Sequence, residues 1–283
     1  MLKRAVIFEP NKIVVKEYSL DREPKNGESL LKILYCGICG SDVHVFKGKH
    51  PFVEFPVSTG HEVIGVVEKS DLFKKGQYLA IRPSVWDNEC YYCKHGMPHI
   101  YEPLKVRGFQ EAGKKVAVVG LGTIGILTAA VSKVYGAKEV IGFDVNSWKV
   151  QKAKEFNFVS NALSPQENNS YMDFDVVFEA VGIQSSIDTA FNLVRKRGTI
   201  IIIGVFAGPG TVPLHLIQDR EYIIMGALMY TDDDFSESVN LISQKRINTQ
   251  ALISKIFDGT DHVPDAFQFA SSETNSFKTL IKL

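Results

Sequence analysis

Two groups of residues have types and spacings that could do chemistry. The first is Cys39 followed, 22 residues later, by His61 and Glu62. A thiolate, an imidazole and a carboxylate brought together from two turns are donors that zinc takes, and three protein ligands leave a fourth coordination position open. An open position is what a Lewis-acid catalyst requires; four protein ligands would close the site. The second group is Gly120-Leu121-Gly122-Thr123-Ile124-Gly125, which follows the apolar run from Lys115 to Val119 and opens a helical pattern reaching Tyr135. In that context the first glycine permits a tight turn and the second lets a pyrophosphate approach the backbone. The third lets helix and strand pack closely, while the helix N-terminus offers its N–H groups to the phosphates. Asp144 ends the next strand, 24 residues after Gly120. An acid there accepts hydrogen bonds from the adenosine ribose and repels a 2′-phosphate, which favours NAD over NADP.

The elements that must position these residues fall into two grammars. Residues 1–110 read as β-rich, with short strands at Ile13–Tyr18, Leu30–Tyr35, Val63–Glu68 and Gln77–Ile81 separated by Pro, Gly, Asn and Asp. That pattern predicts an antiparallel barrel or sandwich. Residues 111–250 alternate apolar strands with helices: strands at Lys115–Val119, Val140–Phe143, Asp175–Phe178, Thr199–Ile203 and Tyr222–Met225, helices near Ser147–Phe156 and Ser185–Val194. Strands apolar along their whole length belong to a parallel sheet covered by helices on both faces, a doubly wound α/β domain. Residues 251–283 lose the alternation and are expected to return to the first domain.

The chain of 283 residues carries 32 Lys+Arg against 32 Asp+Glu and has no basic stripe, which argues against nucleic acid as a partner. No apolar run approaches the length of a membrane span, and the N-terminus lacks the apolar stretch of a secretory signal. Four cysteines, all in the first third, cannot make a disulfide framework and point to metal or redox chemistry in a reducing compartment. The expectation is a soluble, cytoplasmic protein. Its exposed sheet edge, Tyr222–Met225, invites pairing with a second copy.

Four segments together resemble the zinc-dependent medium-chain dehydrogenase/reductase superfamily, with the flavour of its sorbitol (polyol) and threonine dehydrogenase branch. They are Gly37–His44, Gly60–Val67, Gly120–Gly125 and Asp175–Gly182. The resemblance implies a GroES-like catalytic domain whose zinc faces a Rossmann NAD-binding domain. By position, it makes Cys39 and His61 zinc ligands and Glu62 the third or an exchangeable ligand beside them, while Glu102 matches either a further glutamate near the zinc or the residue that follows the last cysteine of a cysteine-bearing lobe. Ser41 matches the hydroxyl that passes the alcohol proton outward and His44 the outer member of that relay. Asp42 matches an acid that orients the histidine ligand. Gly120, Gly122, Thr123, Ile124, Gly125, Asp144 and Lys149 match the adenosine and pyrophosphate side of the cofactor site. Ala180, Val181, Ile203, Gly204 and Val205 match the backbone lining the nicotinamide. Cys36 matches nothing catalytic. Homodimers or homotetramers are implied as well.

The chain departs from the family in two places. Cys90-Tyr91-Tyr92-Cys93 matches the middle of a lobe that in many relatives holds a structural zinc through four cysteines, but the flanking positions hold Asp87 and Tyr101. Two thiolates without the other two do not make a closed tetrahedral site, so a metal-free remnant is expected unless Asp87, His95 or His99 substitutes. The catalytic domain also looks shortened between Tyr101 and Lys114. The expected activity is hydride transfer from an alcohol or polyol hydroxyl to NAD. The alternatives are a zinc-independent quinone reductase and an NAD-binding protein with an incomplete, inactive catalytic domain.

Overall fold

The structure is a computed structural model, and it describes residues 2–20, 22–50, 53–84, 89–94, 112–168, 170–227 and 229–283. The chain divides into two compact units, residues 1–85 with 252–283, and residues 86–251. The expected boundary at 110 lies outside the described residues, as do Glu102, His95, His99 and Tyr101.

The first unit opens with the hairpin β1 (Leu2–Glu9) and β2 (Lys12–Tyr18), paired antiparallel about a turn in which Asn11 takes a positive φ of 62°. β3 (Ser29–Ile38), helix α1 (Gly40–Phe46), β4 (Glu62–Ser70) and β5 (Tyr78–Ile81) follow. The strands alternate buried and exposed positions only in part, as short antiparallel strands with one wet face do.

In the second unit come α2 (Tyr91–Lys94), β6 (Lys115–Val119), α3 (Thr123–Val134), β7 (Glu139–Phe143), α4 (Ser147–Glu155) and β8 (Asn161–Leu163). They are followed by β9 (Phe174–Glu179), α5 (Gln184–Leu193), β10 (Val194–Ile202), α6 (Leu214–Asp219), β11 (Ile223–Gly226) and α7 (Asp232–Ser243). Six strands form one parallel sheet in the order β11-β10-β9-β6-β7-β8, the doubly wound arrangement. Val116, Val118, Ile141, Val176, Val177 and Ile200 are fully buried along it, which is why their strands read as unbroken apolar runs. β10 begins earlier than Thr199 because its first residues pair through an irregularity between Val194 and Thr199, where Arg197 adopts a positive φ.

The tail, β12 (Ile253–Asp258), α8 (Val263–Ser272) and β13 (Lys278–Lys282), joins the first unit. β13 pairs antiparallel with β3, completing a five-stranded sheet in the order β12-β13-β3-β4-β5. Phe46 of α1 packs on Phe267 of α8 with ring centroids 5.5 Å apart, so the tail buttresses the helix that follows Cys39. Among the described residues no helix is long and apolar enough to cross a membrane.

Candidate metal and dinucleotide sites

Cys39 leaves the end of β3 with extended backbone (φ −88°, ψ 160°) and caps α1. Asp42, in the first turn of that helix and 3% exposed, turns one carboxyl oxygen back to accept from the Cys39 backbone N–H at 2.8 Å. Its other oxygen lies 3.4 Å from His61 Nδ1. A ring held at Nδ1 in this way presents Nε2 to a metal, the arrangement that orients a metal-bound imidazole.

Cys39, His61 and Glu62 each offer one ligand atom, and these atoms all lie within 4.8 Å of one another. Among the described residues they are the one such group of three. The electrostatics fit a divalent cation. The Asp42 carboxyl, and after it the Cys39 sulfur, hold the His61 ring up at about 10 from its ordinary 6.5. Burial works against the Cys39 thiolate, but donation from His61 and from the hydroxyl and backbone N–H of Ser41 outweighs it, so the thiol is held below its ordinary value. Cys36, by contrast, is pushed up to about 11, chiefly by burial, and so behaves as a packed thiol rather than a ligand.

Glu62 begins β4 directly opposite Gly37 of β3. A Cβ on Gly37 would stand 2.2 Å from Glu62 Oε2, so only glycine leaves room for the carboxyl group to lie over β3. The same carboxyl group is gripped by Lys278, the first residue of β13, whose Nζ stands 2.9 and 2.8 Å from its two oxygens. Sequence reasoning missed Lys278. It comes from the far end of the chain, and nothing in the local pattern of the tail marks it. Ser41 sits on the Cys39 thiol, while His44 lies one turn along α1 on the exposed side. Glu102 falls outside the described residues, as does Asp87. Cys90 and Cys93 stand together, the Cys93 N–H donating to Cys90 Sγ at 3.5 Å.

In the second unit the glycine-rich turn joins β6 to α3. Gly120 adopts φ +92°, a conformation that L side chains rarely take. A Cβ on Gly125 would meet the Gly120 carbonyl at 1.8 Å, so the third glycine is what lets α3 close on the strand. At Gly122 the same test finds nothing within 4 Å, an open approach at the N-terminus of a 12-residue helix. That cradle fits a pyrophosphate. Asp144 accepts from Leu121 N at 2.7 Å and from Asn146 N at 2.8 Å, one bond to each carboxyl oxygen. It therefore fixes the glycine turn, and each oxygen keeps a second lone pair.

Asn146 caps α4 by accepting from Trp148 N and Lys149 N, which places Lys149 in the helix's first turn, half-buried. Thr123 and Ile124 open α3, and Ala180, Val181, Ile203, Gly204 and Val205 follow the ends of β9 and β10. Ile124, Val145, Val181 and Val205, all just beyond carboxyl ends of strands, are 44–77% exposed. Apolar side chains left bare at the ligand end of such a sheet suit the faces of adenine and nicotinamide.

The signature of an Alcohol dehydrogenase GroES-like domain matches residues 25–135, and that of a Zinc-binding dehydrogenase matches residues 123–244. The chain is 27% identical to 2-dehydro-3-deoxy-L-galactonate 5-dehydrogenase of Pseudoalteromonas atlantica, over 92% of each chain. It is 28% identical to Sorbitol dehydrogenase 1 of Saccharomyces cerevisiae, over 82% of this chain and 84% of the relative. The crystal structure of L-idonate 5-dehydrogenase from Escherichia coli superposes with a TM-score of 0.88 at 24% identity, covering 99% of this chain and 98% of that one. The chain belongs to the zinc-dependent medium-chain dehydrogenase/reductase superfamily, in its sorbitol (polyol) branch.

Proposed function

We propose that the protein is an NAD-dependent zinc dehydrogenase that oxidises a secondary hydroxyl of a polyol or related alcohol. The observation that carries this reading is the convergence of Cys39, His61 and Glu62 within 4.8 Å, with buried Asp42 behind the ring. When bound, zinc supplies the Lewis acidity that makes a substrate hydroxyl acidic near neutral pH, and the dinucleotide supplies the hydride acceptor.

The chain's own residues do the rest. Cys39, His61 and Glu62 hold the metal, with Glu102 proposed to exchange with Glu62 rather than add to it, so that one position stays open. Asp42 fixes the His61 ring. Ser41 takes the substrate's proton at its hydroxyl and passes it towards His44 on the exposed side of α1. Gly120, Gly122, Thr123, Ile124 and Gly125 cradle the pyrophosphate, Asp144 and Lys149 bind the adenosine ribose, and the backbone of Ala180, Val181, Ile203, Gly204 and Val205 seats the nicotinamide.

The preference for NAD rests on Asp144, whose charge would face a 2′-phosphate. Several relatives are named for sugar acids and polyols, so the substrate class extends from sorbitol-like polyols to hexonates. A cytoplasmic setting accords with four cysteines that form no disulfide. A homodimer or homotetramer is favoured by the edge strand β11, where Ile223 is 53% exposed.

Replacing Cys39 with Ser, then measuring zinc content and NAD reduction against polyols and sugar acids, tests the reading. Loss of both zinc and turnover is expected; turnover equal to the unaltered protein would overturn it.

A further inference from the structure

The sheet order reverses between β6 and β9, and in open α/β sheets the ligand crevice lies beyond the carboxyl ends of the strands at such a switch point. Glu179 is the last residue of β9, in register with Val119 of β6 and Ile202 of β10. It is fully buried. Its Oε1 accepts from the backbone N–H of Val181 (2.8 Å), that of Gly182 (2.8 Å) and the hydroxyl of Ser186 (2.7 Å). Its backbone carbonyl accepts from Ile203 N at 2.8 Å and Gly204 N at 3.0 Å. One residue thus ties down both loops, 180–182 with its carboxyl group and 203–204 with its main chain.

The fit is close. A Cβ added at Gly204 would stand 2.2 Å from Gly182 N and 2.5 Å from Glu179 Oε2, so the two loops meet, backbone to backbone, over the carboxyl group. Oε2 finds no hydrogen-bond partner among the described residues. A buried polar oxygen left unpartnered costs stability, and its position at the ligand end of the sheet points to a task other than folding.

We propose that Glu179 is the positioning residue for the nicotinamide half of the dinucleotide, setting the two loops at the spacing the ring requires. The inference rests on the nucleotide-binding reading above. It separates the two halves of the cofactor: ADP-ribose engages the glycine turn and Asp144, whereas NADH also needs the loops that Glu179 sets.

The test uses Glu179→Gln in the zinc-loaded protein, which keeps the side-chain volume but replaces one acceptor oxygen with a donor amide. Calorimetric Kd values are measured for NADH and for ADP-ribose. NADH is expected to bind about tenfold more weakly, because a neutral amide oxygen accepts less strongly from Val181 N, Gly182 N and Ser186 Oγ than a carboxylate does and the amide nitrogen set in place of Oε2 is a buried donor, with ADP-ribose within about twofold of the unaltered protein. Equal weakening of both ligands, or no change in either, overturns the proposal. An unaltered protein that binds neither ligand overturns the nucleotide reading itself and this inference with it. Should Glu179→Gln fail to fold, Ser186→Ala removes a single donor, with an expected NADH-selective loss of about threefold; an unselective or absent effect there counts equally against the role.

Discussion

Lys278 sets its ammonium 2.9 and 2.8 Å from the two oxygens of Glu62 and 3.1 Å from the carbonyl of Ile38. The lysine side chain is 18% exposed, so this cation stands in partial burial beside the carboxyl group proposed as the third zinc ligand. A fixed positive charge next to a divalent cation lowers metal affinity and competes for the carboxylate. Lys278→Met is therefore expected to slow zinc loss to a chelator by about tenfold, a difference of about 1.4 kcal/mol. Turnover is expected to fall, because an unrestrained Glu62 would contend with substrate for the open position. Release of zinc timed against excess chelator, with kcat measured alongside, checks both. Faster loss of zinc would mean that the lysine instead holds Glu62 in place for the metal.

The protonation of the metal-free site gives a second prediction. With its ring held at about 10 by Asp42 and then Cys39, His61 carries a proton at neutral pH, and a metal must displace it. Zinc loading of the metal-free protein at pH 7.5 should then release about one proton from His61. Affinity should rise with pH by roughly tenfold per unit until the ring titrates. For the metal-free protein the sign is the opposite. A ring whose folded value exceeds its ordinary 6.5 stabilises the fold fully below that pH, and the contribution disappears as pH rises through about 10. Calorimetry in buffers of different ionisation enthalpy counts the protons, and thermal melts with and without chelator read the stability.

Asp42 serves two partners at once, the Cys39 N–H and the His61 ring. Asp42→Asn keeps an acceptor for one of them but gives up the charge that holds the ring. A loss of about 10- to 100-fold in zinc affinity is expected, as for other residues that orient metal-bound histidines. Its signature in the metal-free protein is a His61 titration moved down towards 6.5, which NMR of the ring protons follows directly.

Much of this was legible in the sequence, for reasons that differ element by element. β6, β7, β9 and β10 are buried on both faces, and their apolar runs announce them. The glycine turn announces itself because Gly120 and Gly125 answer local demands, a positive φ and a contact with a carbonyl five residues away. Cys39, His61 and Glu62 could be read because zinc restricts its donors to few residue types. Lys278 could not, since its partner lies 216 residues away and a lysine in a strand carries no local signal. The steric part of Gly37 was hidden for the same reason: the register that sets it opposite Glu62 is a tertiary fact. Glu179 stood inside a recognised segment, yet only its burial and its five donors motivate the role proposed for it.

Asp144 allows charge and architecture to be separated. Its carboxyl oxygens hold Leu121 N and Asn146 N, and its charge is what a 2′-phosphate would meet. Asp144→Asn removes the charge and keeps one of the two backbone bonds, to Leu121 N or to Asn146 N, so NADP use relative to NAD is expected to rise by about tenfold, with NAD affinity lower by the one bond lost. Asp144→Ala removes both backbone bonds, loosens the glycine turn and should weaken NAD and NADP together. Steady-state kcat/KM for the two cofactors in both variants distinguishes the contributions. A ratio unmoved by Asp144→Asn would place the selectivity elsewhere, and equal effects of the two substitutions on NAD would mean that the bonds to Leu121 and Asn146 do not hold the turn.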